Sequence, residues 1–273
     1  MSSPISKGVA IVTGAAQGIG KAIALRLADD GFDVAINDIS LDAKLTKLRE
    51  VQAEIVEKGR RCSVFPGDVS NEEHVKHMVE SVVHTLGGLD VMVANAGVCP
   101  TASVLDYTVE QWDRSFAINT RGVFLCYQYA AKQMIKQGRG GRIIGCSSSL
   151  GKQALPMLSL YAATKSAIRG LTQGAGECRW MCTNQAHLVA LDLGKFGITV
   201  NSYAPGFVDT ELTRETARQE NMQDIVKMDV SRCAVDSIGK PEDIAGFVSY
   251  LASKESRYMT GQTVGINGGW CFD

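Results

Sequence analysis

The chain has 273 residues, 45% of them hydrophobic and 21% charged, with 28 Lys and Arg balanced against 29 Asp and Glu. Such a composition describes one globular domain with a full-sized core and excludes both a disordered chain and a disulfide miniprotein. With no net positive field and no basic run, nucleic-acid binding is also excluded.

In chain order, Met1 to Lys7 is short and polar, and the apolar run behind it is interrupted at Gly14 and Gly18, so neither a signal peptide nor a membrane span is expected. Short Val/Ile-rich runs then recur at Val9–Thr13, Val34–Asn37, Ser63–Phe65, Val91–Ala94, Arg142–Cys146, Thr199–Tyr203 and Val264–Ile266. They read as seven buried strands. Between them lie helical patterns, clearest in Val75, Met78, Val79, Val82, Val83 and Leu86, whose spacing keeps one face apolar. Regular alternation of strand and helix, with no linker or repeat, predicts a single doubly wound α/β domain with a parallel sheet. Ligands of such a sheet sit beyond the carboxyl ends of its strands, which is where chemistry is sought.

After the first strand comes Thr13-Gly14-Ala15-Ala16-Gln17-Gly18-Ile19-Gly20, opening a helix. Glycines let the backbone N–H groups approach a pyrophosphate at the helix N-terminus, where the macrodipole favours negative charge. Asp38 closes the second strand about twenty residues past Gly18. Its carboxylate suits the two hydroxyls of an adenine ribose, and with no Arg or Lys beside it the site favours NAD over NADP; the alternative is an Asp that starts the turn before a helix at Leu41. Asp68, after the third strand, either meets the adenine amino group or caps the helix beginning near Asn71. Asn95-Ala96-Gly97 ends the fourth strand, and Gly97 leaves room beside a flat ligand, or simply makes a turn.

Tyr161 and Lys165 lie four apart at the start of a helical stretch, on one helix face. An ammonium ~4 Å from a phenol, at an effective dielectric of ~20, is worth about 4 kcal/mol and would bring the phenol from ~10 toward 7. That makes a general acid/base. Ser148, just past the fifth strand, is placed to hold the same substrate oxygen. Ser237, Tyr250 and Lys254 repeat these separations but follow no strand, so position relative to the sheet selects Ser148, Tyr161 and Lys165.

Taken in order, TGAAQGIG, NAG at 95–97, Asn119 in INTRG, SSSLG at 147–151, YAATK at 161–165 and PGFVDT at 205–210 resemble the short-chain dehydrogenase/reductase family over nearly the whole chain. The resemblance implies a Rossmann sheet and a cytoplasmic, homotetrameric oxidoreductase. In it Tyr161 passes the proton, Ser148 steadies the carbonyl or hydroxyl, Lys165 also binds the nicotinamide ribose, and Asn119 orders a water-linked relay. It implies cofactor contacts at Gly14, Gln17, Gly18, Ile19 and Gly20, at Asp38, Asp68 and Val69, and at Asn95, Ala96 and Gly97. Further contacts are implied at Tyr161, Lys165, Pro205, Gly206, Val208 and Thr210. Read from the residues alone, Asn119 is equally a helix-interior polar group and Thr210 an N-cap. DGFDVAIND, RGLTQ, YLASKESRYMTGQ and the GGWCFD tail resemble the acetoin/diacetyl reductases, or 2,3-butanediol dehydrogenases. Polyol or sugar-ketone reduction, 3-oxoacyl reduction and a nucleotide-binding protein without turnover are the competing readings.

GAGECRWMCTNQAH, at about 174–187, is a segment beyond the family pattern and interrupts the helix that starts with Tyr161. Gly174 and Gly176 each weaken a helix by about 1 kcal/mol relative to Ala, so a broken helix that disturbs assembly is expected there. Cys178, Cys182 and His187 lack a fourth ligand of usual spacing, and no metal is expected. The eight cysteines, at 62, 99, 126, 146, 178, 182, 233 and 271, form no CxxC pair and read as reduced, buried thiols.

Overall fold

Apolar runs of three to five residues, rich in β-branched side chains, are too short for core helices and form the strands of a sheet. In a computed structural model, which describes residues 6–174, 191–219, 222–223, 231–235 and 237–272, they do so. The strands are β1 (Val9–Thr13), β2 (Asp33–Asn37), β3 (Cys62–Val64), β4 (Val91–Ala94), β5 (Gly141–Cys146), β6 (Ile198–Pro205) and β7 (Thr263–Ile266). All pair in parallel in the order β3-β2-β1-β4-β5-β6-β7. The order reverses between β1 and β4, which opens a crevice beyond their carboxyl ends.

The helices are α1 (Gly18–Asp29), α2 (Asp42–Glu57), α3 (Glu72–Leu86), α4 (Val109–Phe116), α5 (Gly122–Gln137), α6 (Ser159–Gly174), α7 (Leu191–Gly194), α8 (Glu211–Arg218) and α9 (Pro241–Ala252). One face of the sheet is covered by α3, α5 and α6, with Val82, Met134 and Ile168 packed among Ile11, Met92 and Ile143. The other is covered by α1, α2 and α9, with Ile23, Leu48 and Val248 against Val12, Ile36 and Val93. Each such side chain taken from water contributes ~1.5–3 kcal/mol. The ends of α3 show how local chemistry sets the boundaries. Asn71 accepts hydrogen bonds from the Glu73 and His74 amides at one end, and Gly87 turns the chain left-handed, at φ 95°, at the other.

Of the two readings open for Asp68, the helix cap falls away, because Asn71 caps α3. One expectation is corrected here. The thiols are less buried than expected: of the six described, Cys126 and Cys146 are buried, whereas Cys62, Cys99, Cys233 and Cys271 are partly exposed. Nearly all of the 174–187 segment, including Cys178, Cys182 and His187, lies outside the described residues.

Candidate active site

The crevice holds a cleft of ≈ 390 Å³ bordered by the loop after β1, the end of β2 and the loops after β3, β4 and β6. Every residue expected to touch the cofactor borders it. Its geometry fits an extended ligand carrying phosphates. The first turn of α1 has no side-chain cap, so its amides are available to an anion. Gly14 is left-handed, at φ 64°, and a Cβ there would stand 2.9 Å from the Ala96 backbone; at Gly20 it would run into the Gly14 carbonyl.

Asp38 is tied to this loop, since its carboxylate accepts from the Ala16 amide at 3.1 Å and the Ile39 amide at 2.9 Å. It is therefore a fixed acceptor at the wall of the cleft rather than only a turn residue. The expectation that it stands without a basic neighbour is corrected. The first turns of α2 bring Lys44 to the same wall, where it donates to Gln17 Oε1. Lys47, one turn on, donates to Gln17 and bridges to Glu211 at 2.8 Å, joining α2 to α8 across the cleft. Helical spacing, invisible in the residues flanking Asp38, brings Lys44 to the cleft that Asp38 borders.

Asp68 accepts from the Ser70 amide and hydroxyl and pairs with Arg114 at 3.0 Å. Burial raises its pKa, but Ser70 and Arg114 outweigh this and hold it below the ordinary carboxylate value. Asn95 links β4 to the glycine loop by donating to the Thr13 carbonyl at 2.9 Å. Thr210 does what its N-cap reading required, accepting from the Thr213 amide, while its side chain also stands against Gly18 in the cleft.

At the reacting end, Ser148 is buried just past β5 and its hydroxyl accepts from the Leu150 amide at 3.1 Å. Tyr161 and Lys165 rise from the first turns of α6, and all three border the cleft. Lys165 is 2% exposed, with Nζ donating to the Cys146 carbonyl at 2.7 Å and lying 5.5 Å from the centre of the Tyr161 ring. The expected fall of the Tyr161 phenol toward neutrality does not occur in this geometry. Burial pushes its pKa well above the ordinary value, Cys99 and Cys146 add to the rise, and Ser148 works in the opposite direction. Desolvation of a phenolate outweighs an ammonium that is already engaged by a carbonyl.

Asn119 does not border the cleft. It is fully buried in a π-turn, Ala117–Arg121, between α4 and α5. Its amide donates to the Val98 carbonyl at 2.8 Å and Thr164 Oγ1 at 3.1 Å and accepts from the Val98 amide at 2.8 Å. It thereby fastens the loop after Gly97 to the turn of α6 beside Lys165, and an irregular turn of this kind often marks a functional region. The repeated triplet behaves differently. Tyr250 is 39% exposed on α9 beside Phe247, and neither it, Ser237 nor Lys254 borders the cleft. Sequence reasoning missed Lys44, Arg114, Glu211 and, near the reacting end, Cys99 and Trp270, which reach the site only through tertiary packing.

The profile described as Enoyl-(Acyl carrier protein) reductase matches residues 14–271. A short-chain dehydrogenase/reductase of Hericium erinaceus is 52% identical, over 97% of this chain and 98% of its own length. A 3-oxoacyl-[acyl-carrier-protein] reductase of Staphylococcus aureus is 36% identical, over 95% and 96% of the two chains. Among solved structures, a blue fluorescent protein from a metagenomic library, in complex with NADPH, superposes with a TM-score of 0.84 at 34% identity, covering 98% of this chain and 99% of that one. Acetoin dehydrogenase of Salmonella typhimurium gives 0.79 at 33% identity, covering 96% and 95%.

Proposed function

Because the chain belongs to the short-chain dehydrogenase/reductase family, we propose that it is an oxidoreductase moving a hydride between NAD(H) and a small secondary alcohol or ketone, of which acetoin, diacetyl and 2,3-butanediol are the favoured examples. The observation that carries the reading is the convergence of Ser148, Tyr161 and Lys165 on one end of a cleft whose other end holds the glycine loop and Asp38. When bound, the nicotinamide dinucleotide supplies the carbon that gives or takes the hydride.

In the reducing direction the Ser148 hydroxyl holds the substrate oxygen, and the Tyr161 hydroxyl gives its proton to that oxygen as the carbinol forms. In the oxidising direction the phenolate takes the proton back. Lys165 keeps a positive charge beneath the ring in a buried site, where it acts most strongly on the charged form of the tyrosine. Asn119 keeps Lys165 and the Gly97 loop in register and serves the proton relay from that position. Asp38 receives the ribose hydroxyls and disfavours a 2′-phosphate, while Gly14 to Gly20 and the loop from Pro205 to Thr210 hold the rest of the cofactor.

The Salmonella neighbour supports acetoin as substrate; the Staphylococcus relative favours 3-oxoacyl reduction as the second reading. Polyols fit less well, because the wall beside Ser148 is largely apolar. Initial rates with diacetyl, acetoin, 2,3-butanediol, sorbose, xylitol and a 3-oxoacyl ester, each with both cofactors, test the assignment. The proposal expects the four-carbon compounds and NAD(H) to lead, whereas cofactor binding without turnover of any substrate would favour a nucleotide-binding protein. A cytoplasmic homotetramer, weakened by the 174–187 segment, is part of the same reading. Light scattering checks the assembly, and among the described residues no helix is long and apolar enough to cross a membrane.

A further inference from the structure

Beyond β3 the cleft is bordered by an ion pair whose halves come from separate elements, Asp68 from the loop after the strand and Arg114 from α4, 3.0 Å apart. Neither half is sealed in, since the Asp68 side chain is 26% exposed and that of Arg114 is 51% exposed. Asp68 also borders a neighbouring cavity of ≈ 130 Å³ with Phe65, Val75 and Met78 in its wall, so open space lies beside it. The helix that carries Arg114 is fixed at its start, where Thr108 and Gln111 close a reciprocal cap.

The hydrogen bonds of this carboxylate are unequally shared. Oδ1 accepts from the Ser70 amide at 2.9 Å and the Ser70 hydroxyl at 2.7 Å, whereas Oδ2 accepts from Arg114 alone among the described residues. A carboxylate oxygen has room for two donors, so Oδ1 is full and Oδ2 keeps one acceptor position. Burial works to protonate Asp68, and Ser70 with Arg114 outweighs it, which leaves that position an acceptor only. An ionised carboxylate takes an amino group and repels a carbonyl oxygen.

Taking the cleft as a nicotinamide dinucleotide site, we propose that Arg114 is a positioning residue for base recognition: by holding the Asp68 carboxylate it makes the cleft prefer a 6-aminopurine to a 6-oxopurine. Arg114 acts on the base through Asp68. Without it the carboxylate is free to turn or to take up a proton, and either change removes the preference.

The test measures dissociation constants by isothermal titration calorimetry for NADH and for reduced nicotinamide hypoxanthine dinucleotide, which carries a carbonyl where adenine carries its amino group. The full chain is compared with its Arg114→Ala, Arg114→Met and Arg114→Lys variants. The wild type is expected to bind NADH at least about tenfold more tightly, the lower end of what a hydrogen bond to a charged group contributes. In Arg114→Ala the ratio should fall to within about threefold of one, through weaker NADH binding. Arg114→Met, which keeps the stem without charge or donor, should do the same and decides the matter if Arg114→Ala does not fold. Arg114→Lys keeps a cation against Oδ2 and should stay within about threefold of the wild-type ratio. A merely structural role weakens both dinucleotides alike, so neutral variants that keep the wild-type ratio overturn the role of Arg114. Parity of the two dinucleotides in the wild type overturns the proposal and leaves the cofactor reading standing. Binding of neither, nor of NADPH, by the wild type overturns the cofactor reading and the proposal with it.

Discussion

At the scale of single residues, one cleft is bordered by two opposite charges, Asp38 and Lys44. Asp38 is locked to the Ala16 amide, whereas Lys44 reaches the same wall on a flexible stem and is satisfied by Gln17. A fixed carboxylate opposes a 2′-phosphate, and a mobile ammonium can turn toward one. Asp38→Ala is expected to shift the kcat/KM ratio toward NADPH by at least tenfold, and Lys44→Ala to weaken NADPH use more than NADH use. Steady-state kinetics with both cofactors read both effects. Asp38 was legible because its distance from the glycine loop is a short-range feature of the chain. Lys44 was not, since only the winding of α2 returns it to the site. Tyr161 gives the same lesson in electrostatics: its spacing from Lys165 is visible in sequence, but the burial that raises its pKa and the Cys146 carbonyl that occupies the ammonium are not.

At the scale of elements, all seven strands were legible from their apolar runs, but their ends were not. β2, β5, β6 and β7 each begin one residue earlier than the apolar pattern, at Asp33, Gly141, Ile198 and Thr263, and β3 is shifted by one residue because an edge strand has weaker patterning. Asp33 shows why hydropathy misjudges such an end. It is 1% exposed at the start of β2, where Arg60 donates to it at 2.6 Å and Arg61 at 2.9 Å. Burial raises its pKa, but the hydrogen bonds from Arg61 and Arg60 outweigh that and leave it below the ordinary value. Its contribution to stability is thus present above the unfolded value of 3.8 and lost as pH falls through the lower folded value. Asp33→Asn removes the carboxylate that Arg61 and the buried Arg60 hydrogen-bond and is expected to cost ~3–5 kcal/mol, measured by urea unfolding at neutral pH. A cost near zero would mean that β2 does not depend on this pair.

At the scale of the whole molecule, groups set within or against the apolar clusters resist ionisation. Burial pushes the thiols of Cys62, Cys99 and Cys126 from 9.0 up to about 12, and it raises the phenols of Tyr127 and Tyr203. Because the folded values lie above the unfolded ones, this stabilisation is full below pH ~9 and is lost progressively as pH rises toward 12. Thermal unfolding followed from pH 8 to pH 11 should show Tm falling steadily above pH ~9; a flat Tm over that range would contradict it. The global architecture was legible as a doubly wound sheet, because alternation of strand and helix leaves few topologies. The apolar wall beside Ser148 was not, since Cys99, Leu158, Phe207 and Trp270 come from four separate stretches that only the finished fold assembles.

The central claim is that this fold delivers one proton through Tyr161 while a hydride crosses the cleft. Its most direct test is the initial rate of NADH oxidation with diacetyl by the wild type, Tyr161→Phe and Tyr250→Phe, with NADH affinity measured for each. Removing the Tyr161 hydroxyl keeps the ring but takes away the transferable proton, so turnover should fall by at least ~10²-fold with NADH affinity little changed. Tyr250→Phe should match the wild type. Full turnover by Tyr161→Phe, or its loss in Tyr250→Phe alone, would contradict the account.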